Sequence, residues 1–327
     1  MAGEKLTMPG WKGGFRILAS SKQTNGTMAV FTAGAVLSEA PGFHWHEEAH
    51  DVFLCTKGYL KLYSGDQCRI LAPGDFAYVP PKVIHNPQWL GPHSESLCLV
   101  APGDWINFFR YMGETHDSLL FPEFSRNDEE KIVSMMMAAK EKFDIQYAYD
   151  YQPPEVSYWR ESENKLGGYL EPYFLRANTG PRWMAGGLLS RPFILASQNG
   201  GRFAISSIES SSVYKRSIFE SYIKFTNVDH CFFVAEGKVK VEREGSSGEN
   251  VLHDGETLVI SAGQGFKLDF ASPYVRILSV TNGRGIETLI QEAGKPFEGF
   301  VLPDKVEVVD SDKLARVCEE IAVTTSG

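Results

Sequence analysis

Residues 42–58, GFHWHEEAHDVFLCTKG, and residues 74–85, GDFAYVPPKVIH, decide the reading of this chain. His44 and His46 are one residue apart, so in a strand both rings point to the same face. A tight turn through Glu47 to Ala49 returns the chain, and Asp51 and Phe53 then face the same space from the adjacent strand. His85 follows Gly74, which permits a tight turn, and Pro80-Pro81, which stiffens the approach. The pattern predicts that His44, His46 and His85 share one transition-metal ion, with Asp51 beside it. Three imidazoles and one carboxylate leave coordination positions open, as catalysis requires, whereas a structural site is closed. Imidazoles suit Zn, Cu, Fe and Ni alike, so ligand type does not name the metal. His50 competes with Asp51 as a ligand, but strand alternation turns His50 outward and the spacing to Gly58 favours Asp51. Glu47 and Glu48 read as solvated turn residues, and Asp75 as a side chain bonded within its own turn.

Outward from this stretch, residues 15–18, 27–37, 52–54, 59–63, 77–79 and 96–100 read as strands, rich in apolar and β-branched side chains. Strands at such short spacing predict a sandwich or small barrel, not a βαβ fold. Residues 1–14 read as an arm. Asp104 is placed to cap a short helix carrying Trp105, Phe108, Phe109 and Met112, stopped by Gly113. A longer helix begins near Asn127, with Glu130 completing a capping box. Its stripe, Ile132, Met135, Met136, Ala139 and Phe143, has helical spacing, so the Met135-Met136-Met137 run reads as packing and not as a soft-metal site. Residues 144–170, rich in Tyr, Pro and Glu, read as a connector lying over the first domain. Strands return near Pro172, and Ser311 is placed to cap a last helix with Leu314, Val317, Cys318 and Ile321 inward.

The second half echoes the first. Ile17-Leu18-Ala19-Ser20 recurs as Ile194-Leu195-Ala196-Ser197, Gly58 matches Gly237, and Gly74-Asp75 matches Gly255-Glu256. The simplest account is a duplicated β domain. The expected division is residues 1–143 for a first barrel with trailing helices, 144–170 for the connector and 171–327 for a second barrel. At the positions of His44, His46, Asp51 and His85 the second copy carries Ile223, Phe225, His230 and Phe266. Apolar residues therefore serve the same scaffold, so the histidines of the first copy are not needed merely to fill a core.

The bulk properties bound the function. A length of 327 residues suggests about two domains, and 43% hydrophobic with 22% charged residues is an ordinary globular composition. A net charge of -9 argues against nucleic acid as a partner. No apolar run approaches a membrane span. The N-terminus lacks the charged-then-apolar pattern of a secretory signal, which points to the cytoplasm, or to secretion if a signal has been removed. Five scattered cysteines fit reduced, buried thiols.

The spacing His44-x-His46-x4-Asp51-x6-Gly58, followed by Gly74-x5-Pro80-x-Lys82-x2-His85, resembles the two ordered motifs of the cupin superfamily. Over nearly its whole length the chain further resembles fungal-type quercetinases, in segments 74–85, 101–113 and 186–203. The resemblance implies an all-β bicupin: two jelly-roll (double-stranded β-helix) barrels with a few short helices, and a metal in the first barrel alone. It implies His44, His46 and His85 as ligands of one divalent transition metal per chain. Copper comes first by resemblance, with Fe, Mn, Ni, Co or Zn not excluded. Asp51 stands where the family has a glutamate, as ligand and catalytic base. Phe53, with Trp89, Phe31 and the connector tyrosines, would line the substrate cavity. The implied activity is a dioxygenase opening a flavonol-like, enolisable phenolic with dioxygen as partner. Two departures stand out. Asp51 is one methylene shorter than the family's acid, and Pro87 replaces an aromatic, with Trp89 two residues on. The shorter acid motivates an alternative, a metal-dependent isomerase, cyclase or lyase. A non-catalytic ligand-binding bicupin ranks third. The resemblance leaves room for a homodimer through strand edges.

Overall fold

Alternating burial builds the first barrel strand by strand. In the computed structural model, residues 3–8, 11–36, 42–117, 126–214, 218–246 and 248–326 are described. Strand β1 (Lys5–Thr7) pairs with β2 (Gly13–Ala19), which buries every second side chain, and β2 pairs with β3 (Ala29–Ala35). The short β4 (His44–Trp45) leads into β5 (His50–Ser64), β6 (Gln67–Leu71), β7 (Phe76–Val79) and β8 (His85–Ala101). Together with three later strands these make an eleven-stranded sheet in which β5 and β8 are neighbours. The inward faces enclose one apolar core that includes Phe15, Phe31, Phe53, Leu60 and Trp89.

Several local expectations need correction. Residues 52–54 and 59–63 are not two strands but parts of the single β5, which runs through Gly58 with register shifts between Cys55 and Lys57 and between Lys57 and Tyr59. Gly58 has φ +64°, and a Cβ there would collide with the backbone of His93 and Ser94. Glycine thus lets the strand bend without ending. Likewise 96–100 is the end of the 17-residue β8. Residue 37 of the expected strand 27–37 lies outside the described residues. The N-terminal segment is no free arm: Leu6 and Trp11 are buried, and β1 also pairs with β9 (Glu114–Thr115).

Asp104 does not cap. Pro102 holds the cap position of a 3-10 turn, Gly103–Ile106, and α1 (Asn107–Met112) follows, ended by Gly113. Helix α2 (Arg126–Lys140) forms where the periodicity placed it, though the side chains of the Asn127–Glu130 box lie outside the described ones. Met135, Met136 and Phe143 pack on the first core and Met137 is exposed. Beyond α2, β10 (Gln146–Tyr147) pairs with β4. The next strand, β11 (Tyr173–Leu175), pairs with β7. The chain divides into compact units Met1–Thr179 and Gly180–Gly327. Strand β11, placed from sequence in the second barrel, therefore sits in the first unit. Asp75 explains part of this: besides accepting from Ala72 N in its own turn (2.8 Å), it accepts from Ala177 N (2.7 Å).

The second unit repeats the plan. Strands β12 (Trp183–Ala185), β13 (Leu188–Ile194) and β14 (Ala204–Ser210) precede β15 (Tyr222–Phe225), β16 (His230–Glu236) and β17 (Val239–Arg243). Then come β18 (Glu249–Leu252), β19 (Thr257–Ile260), β20 (Phe266–Phe270) and β21 (Val275–Thr281), followed by α3 (Ile286–Ala293), β22 (Lys295–Pro296), α4 (Ser311–Glu320) and β23 (Val323–Ser326). They form a seven-stranded and a five-stranded sheet. A second core, with Phe232, Phe266 and Ile277, lies within this unit. Asp310, not Ser311, caps α4, accepting from Asp312 N and Lys313 N at 3.0 Å each. The architecture is thus all-β, two jelly-roll barrels with a few short helices, as expected. No described helix is long and apolar enough to cross a membrane.

Candidate metal centre

Pairing brings the three histidines together. His44 on β4 lies opposite His85 on β8, and their ring centroids are 4.3 Å apart. His46 follows on the same face, its centroid 5.1 Å from His44 and 5.3 Å from His85. The nitrogens that the three rings offer lie within 4.8 Å of one another, and all three residues are buried. Asp51 opens the next strand, with Oδ2 3.1 Å from His46 Nε2 and 3.4 Å from His85 Nε2. His50 is turned away, its Nδ1 2.8 Å from the Tyr78 hydroxyl, as alternation requires.

Backbone carbonyls set the orientation of each ring. His44 Nδ1 lies 2.8 Å from Gly42 O, His85 Nδ1 lies 3.0 Å from Val83 O, and His46 Nδ1 bonds Asp144 O. A carbonyl can only accept, so each Nδ1 carries a proton, which leaves Nε2 facing the centre as the atom able to bind a metal. Asp144 also fixes the preceding turn: its carboxylate accepts from the amides of Glu47 (2.6 Å), Glu48 (2.8 Å) and Ala49 (3.0 Å). The same backbone carbonyl accepts from Trp105 Nε1 at 2.9 Å. Sequence reading missed Asp144, because nothing local links it to a turn almost a hundred residues earlier.

Electrostatics make the cluster a receptor for a cation. Burial opposes the charge of Asp51, but the imidazoles of His46 and His85 hold its carboxyl well below the usual carboxylate range. Burial presses His46 down, and Asp51 more than offsets it, so His46 sits above its ordinary value. Burial, and then the neighbouring imidazoles of His85 and His46, hold His44 well below 6.5. His46 Nε2 and Asp51 Oδ2 are buried and lack an aligned hydrogen-bond partner among the described residues. Such a pair is costly to bury unless a positive charge, a proton on His46 or a metal ion, lies between the two atoms. The donor set, three imidazoles and one carboxylate, fits a divalent transition ion.

The cluster forms one end of a cavity of about 260 Å³. His44, His85 and Asp51 contribute to its lining. Phe31, Phe53 and Trp89, the three wall residues expected from sequence, line it too, and so does Pro87. Tyr147, one of the connector tyrosines expected as walls, lines it as well, and so do Trp11 and Trp105, which sequence reading missed. Trp11 lay in the supposed arm and carried no local signal. All five cysteines are unpaired and buried, as expected of reduced thiols.

The second unit keeps the register and loses the chemistry. Ile223 on β15 lies opposite Phe266 on β20, as His44 lies opposite His85. Phe225 and Phe266 are 4.4 Å and 5.5 Å from the ring of His230. Burial drives His230 down to about 3, and its Nε2 accepts from Ile286 N at 3.2 Å. It is a neutral structural histidine.

Comparison with known proteins agrees with this plan. Residues 34–100 match the cupin domain model. The quercetin 2,3-dioxygenase of Aspergillus japonicus is 24% identical over 317 residues, covering 88% of this chain and 89% of that protein. The quercetin 2,3-dioxygenase of Bacillus subtilis is 28% identical over 107 residues, 33% of this chain and 32% of that one. Among solved structures, the oxalate decarboxylase of Bacillus subtilis, a protein with Mn(II) centres, superposes with a TM-score of 0.51 at 13% identity. The match covers 87% of this chain and 78% of that one, and it speaks for the fold alone. The chain thus carries a match to the cupin domain, has a bicupin fold, and resembles quercetin 2,3-dioxygenase.

Proposed function

We propose that this bicupin is a metal-dependent dioxygenase of the quercetinase type, opening the ring of an enolisable, flavonol-like phenolic. The observation that carries the reading is the convergence of three imidazoles and one ionised carboxylate at the polar end of an otherwise apolar cavity. One divalent transition metal per chain would be held by His44, His46 and His85, with Asp51 as fourth ligand or adjacent base. Copper comes first by likeness to quercetinase, and Mn, Fe, Ni, Co or Zn suit the same donors. When bound, the ion supplies Lewis acidity towards a substrate oxygen.

The chain's own residues do the remaining work. Asp51, ionised at neutral pH, accepts the proton of a substrate hydroxyl. The carbonyls of Gly42, Val83 and Asp144 keep the imidazoles oriented, so no reorganisation is needed when substrate arrives. Phe31, Phe53 and Trp89 hold the aromatic rings and exclude water.

Oxygen uptake by metal-loaded protein, followed with the loss of flavonol absorbance, tests the reading. One dioxygen should disappear per flavonol. His85→Ala should abolish uptake, and Asp51→Asn should lower it at least about 100-fold. Metal-loaded protein that takes up no oxygen on a panel of flavonols and phenols overturns the reading. The second reading is a non-oxidative isomerase, cyclase or lyase on the same site. Its support is that the short Asp51 approaches His46 and His85 within ion-pair distance, a geometry suited to moving a proton. Turnover under strict anaerobiosis would favour it over the first.

A further inference from the structure

The three candidate ligand rings are not held alike. The carbonyls that meet His44 and His85 belong to Gly42 and Val83, each two residues back along the same segment, so the local chain sets both rings. The carbonyl that meets His46 belongs to Asp144, 98 residues away. A carbonyl oxygen has two lone pairs and can serve two donors. His46 Nδ1–H is one donor to this oxygen, and Trp105 Nε1 is a second, at 2.9 Å. The indole also meets the His46 ring edge-to-face, with centroids 4.9 Å apart and planes at 72°. Trp105 is itself buried, in the 3-10 turn Gly103–Ile106, with its ring 4.9 Å from Phe108 and 5.2 Å from Phe109. The turn is closely seated. Gly103 N donates to Gly26 O at 2.8 Å, and a Cβ on Gly103 would lie 2.4 Å from the Met28 backbone. A tryptophan on a fixed turn thus touches both the ring of His46 and the oxygen that orients it.

We propose that Trp105 is a positioning residue of the metal centre: its indole N–H keeps the Asp144 carbonyl aimed at His46, and so sets the one candidate ligand ring that is oriented from a distance. This rests on the reading of His46 as a metal ligand. Two ties converge on Asp144. The 47–49 turn holds its carboxylate, and the indole holds its carbonyl. Without the indole N–H the peptide is free to rotate, the carbonyl turns away from His46 Nδ1–H, and the imidazole loses its fixed direction. Losing the direct partner of a ligand histidine weakens metal binding about 10- to 100-fold. Trp105 acts one bond further out, so a smaller loss, about three- to tenfold, is expected. Trp105 also lines the cavity, so the support of His46 is part of the wall.

Proton NMR of cobalt(II)-loaded protein tests this. High-spin cobalt shifts the Nδ1 proton of each ligand imidazole far downfield, and wild type should show three solvent-exchangeable signals, one per histidine. The His46 signal is identified by its nuclear Overhauser contact with the indole. Trp105→benzothienylalanine keeps the fused rings and replaces the N–H by sulfur. The His46 signal should move and exchange faster with water, while those of His44 and His85 stay in place. Cobalt affinity, measured by competition with a chelator, should fall about three- to tenfold. Trp105→Phe also removes the N–H, and the same single displaced signal is expected from it if the isostere does not fold. A His46 signal that stays in place, several signals that move together, or an affinity within about twofold of wild type overturns the proposal. If wild type binds no cobalt, the metal centre falls and the proposal with it. Three signals in wild type with an unmoved His46 signal in the variants overturn the proposal alone.

Discussion

Asp144 anchors the metal end through two separate groups, a carboxylate that holds the 47–49 turn and a carbonyl that orients His46. Asp144→Ala keeps the carbonyl but frees the turn. Metal affinity, measured by competition with a chelator, should fall roughly 10- to 100-fold, with the fold retained. An unchanged affinity would show that the turn holds itself. His230 gives a second residue-scale expectation. Its folded value of about 3 lies below the unfolded 6.5, so the unfolded chain binds more protons in acid. The stability this gives is present above pH 6.5 and is lost as pH falls towards 3, by a total on the order of 4–5 kcal/mol. His230→Gln retains an acceptor for Ile286 N and cannot titrate. Its acid-unfolding midpoint should therefore move to lower pH, and an identical midpoint would contradict the assignment. Legibility at this scale followed chain distance. His44, His46 and Asp51 lie within eight residues of one another, so strand alternation places them, whereas Asp144 and Trp11 gain their places from contacts that only the fold creates.

At the scale of elements, the connector is held to the first barrel by a buried ion pair. Arg69, fully buried on β6, meets Glu163 at 2.8 Å, and the Arg69 guanidinium lies 5.5 Å from the Phe174 ring. Removing one partner leaves a buried charge uncompensated. Glu163→Gln should cost about 3–5 kcal/mol in urea unfolding of the first unit. A cost below about 1 kcal/mol would mean that the connector is held by other contacts. Elements were legible where one periodicity ran unbroken, as in α2 and β2. They were misjudged where glycine or proline interrupts the pattern without ending the strand, as at Gly58 in β5 and Pro87 in β8. The cap of α4 was misplaced because neighbouring polar residues compete for the same position, and that of α1 because a 3-10 turn opened by Pro102 precedes the helix and takes Asp104 into it. Asp310 and Ser311 are adjacent, and only geometry shows which side chain turns back.

For the whole molecule, the duplication separates scaffold from chemistry. The repeat was legible because glycines at matching turns survive in both copies, with Gly58 and Gly237 both at positive φ. The loss of ligands was legible too, since Ile223, Phe225 and Phe266 cannot coordinate a metal. A ligand that binds only the first unit stabilises only that unit, by about 2.7 kcal/mol at a hundredfold excess over Kd. Chelation should therefore lower one thermal transition and leave the other in place, and a concerted shift of both would contradict this. The most direct test of the account is the metal content of protein purified without chelator, measured beside His85→Ala. We expect one transition-metal ion per chain in wild type and close to none in the variant, with the variant still folded. A metal-free wild type, or a variant that keeps its full complement, would contradict the three-histidine centre.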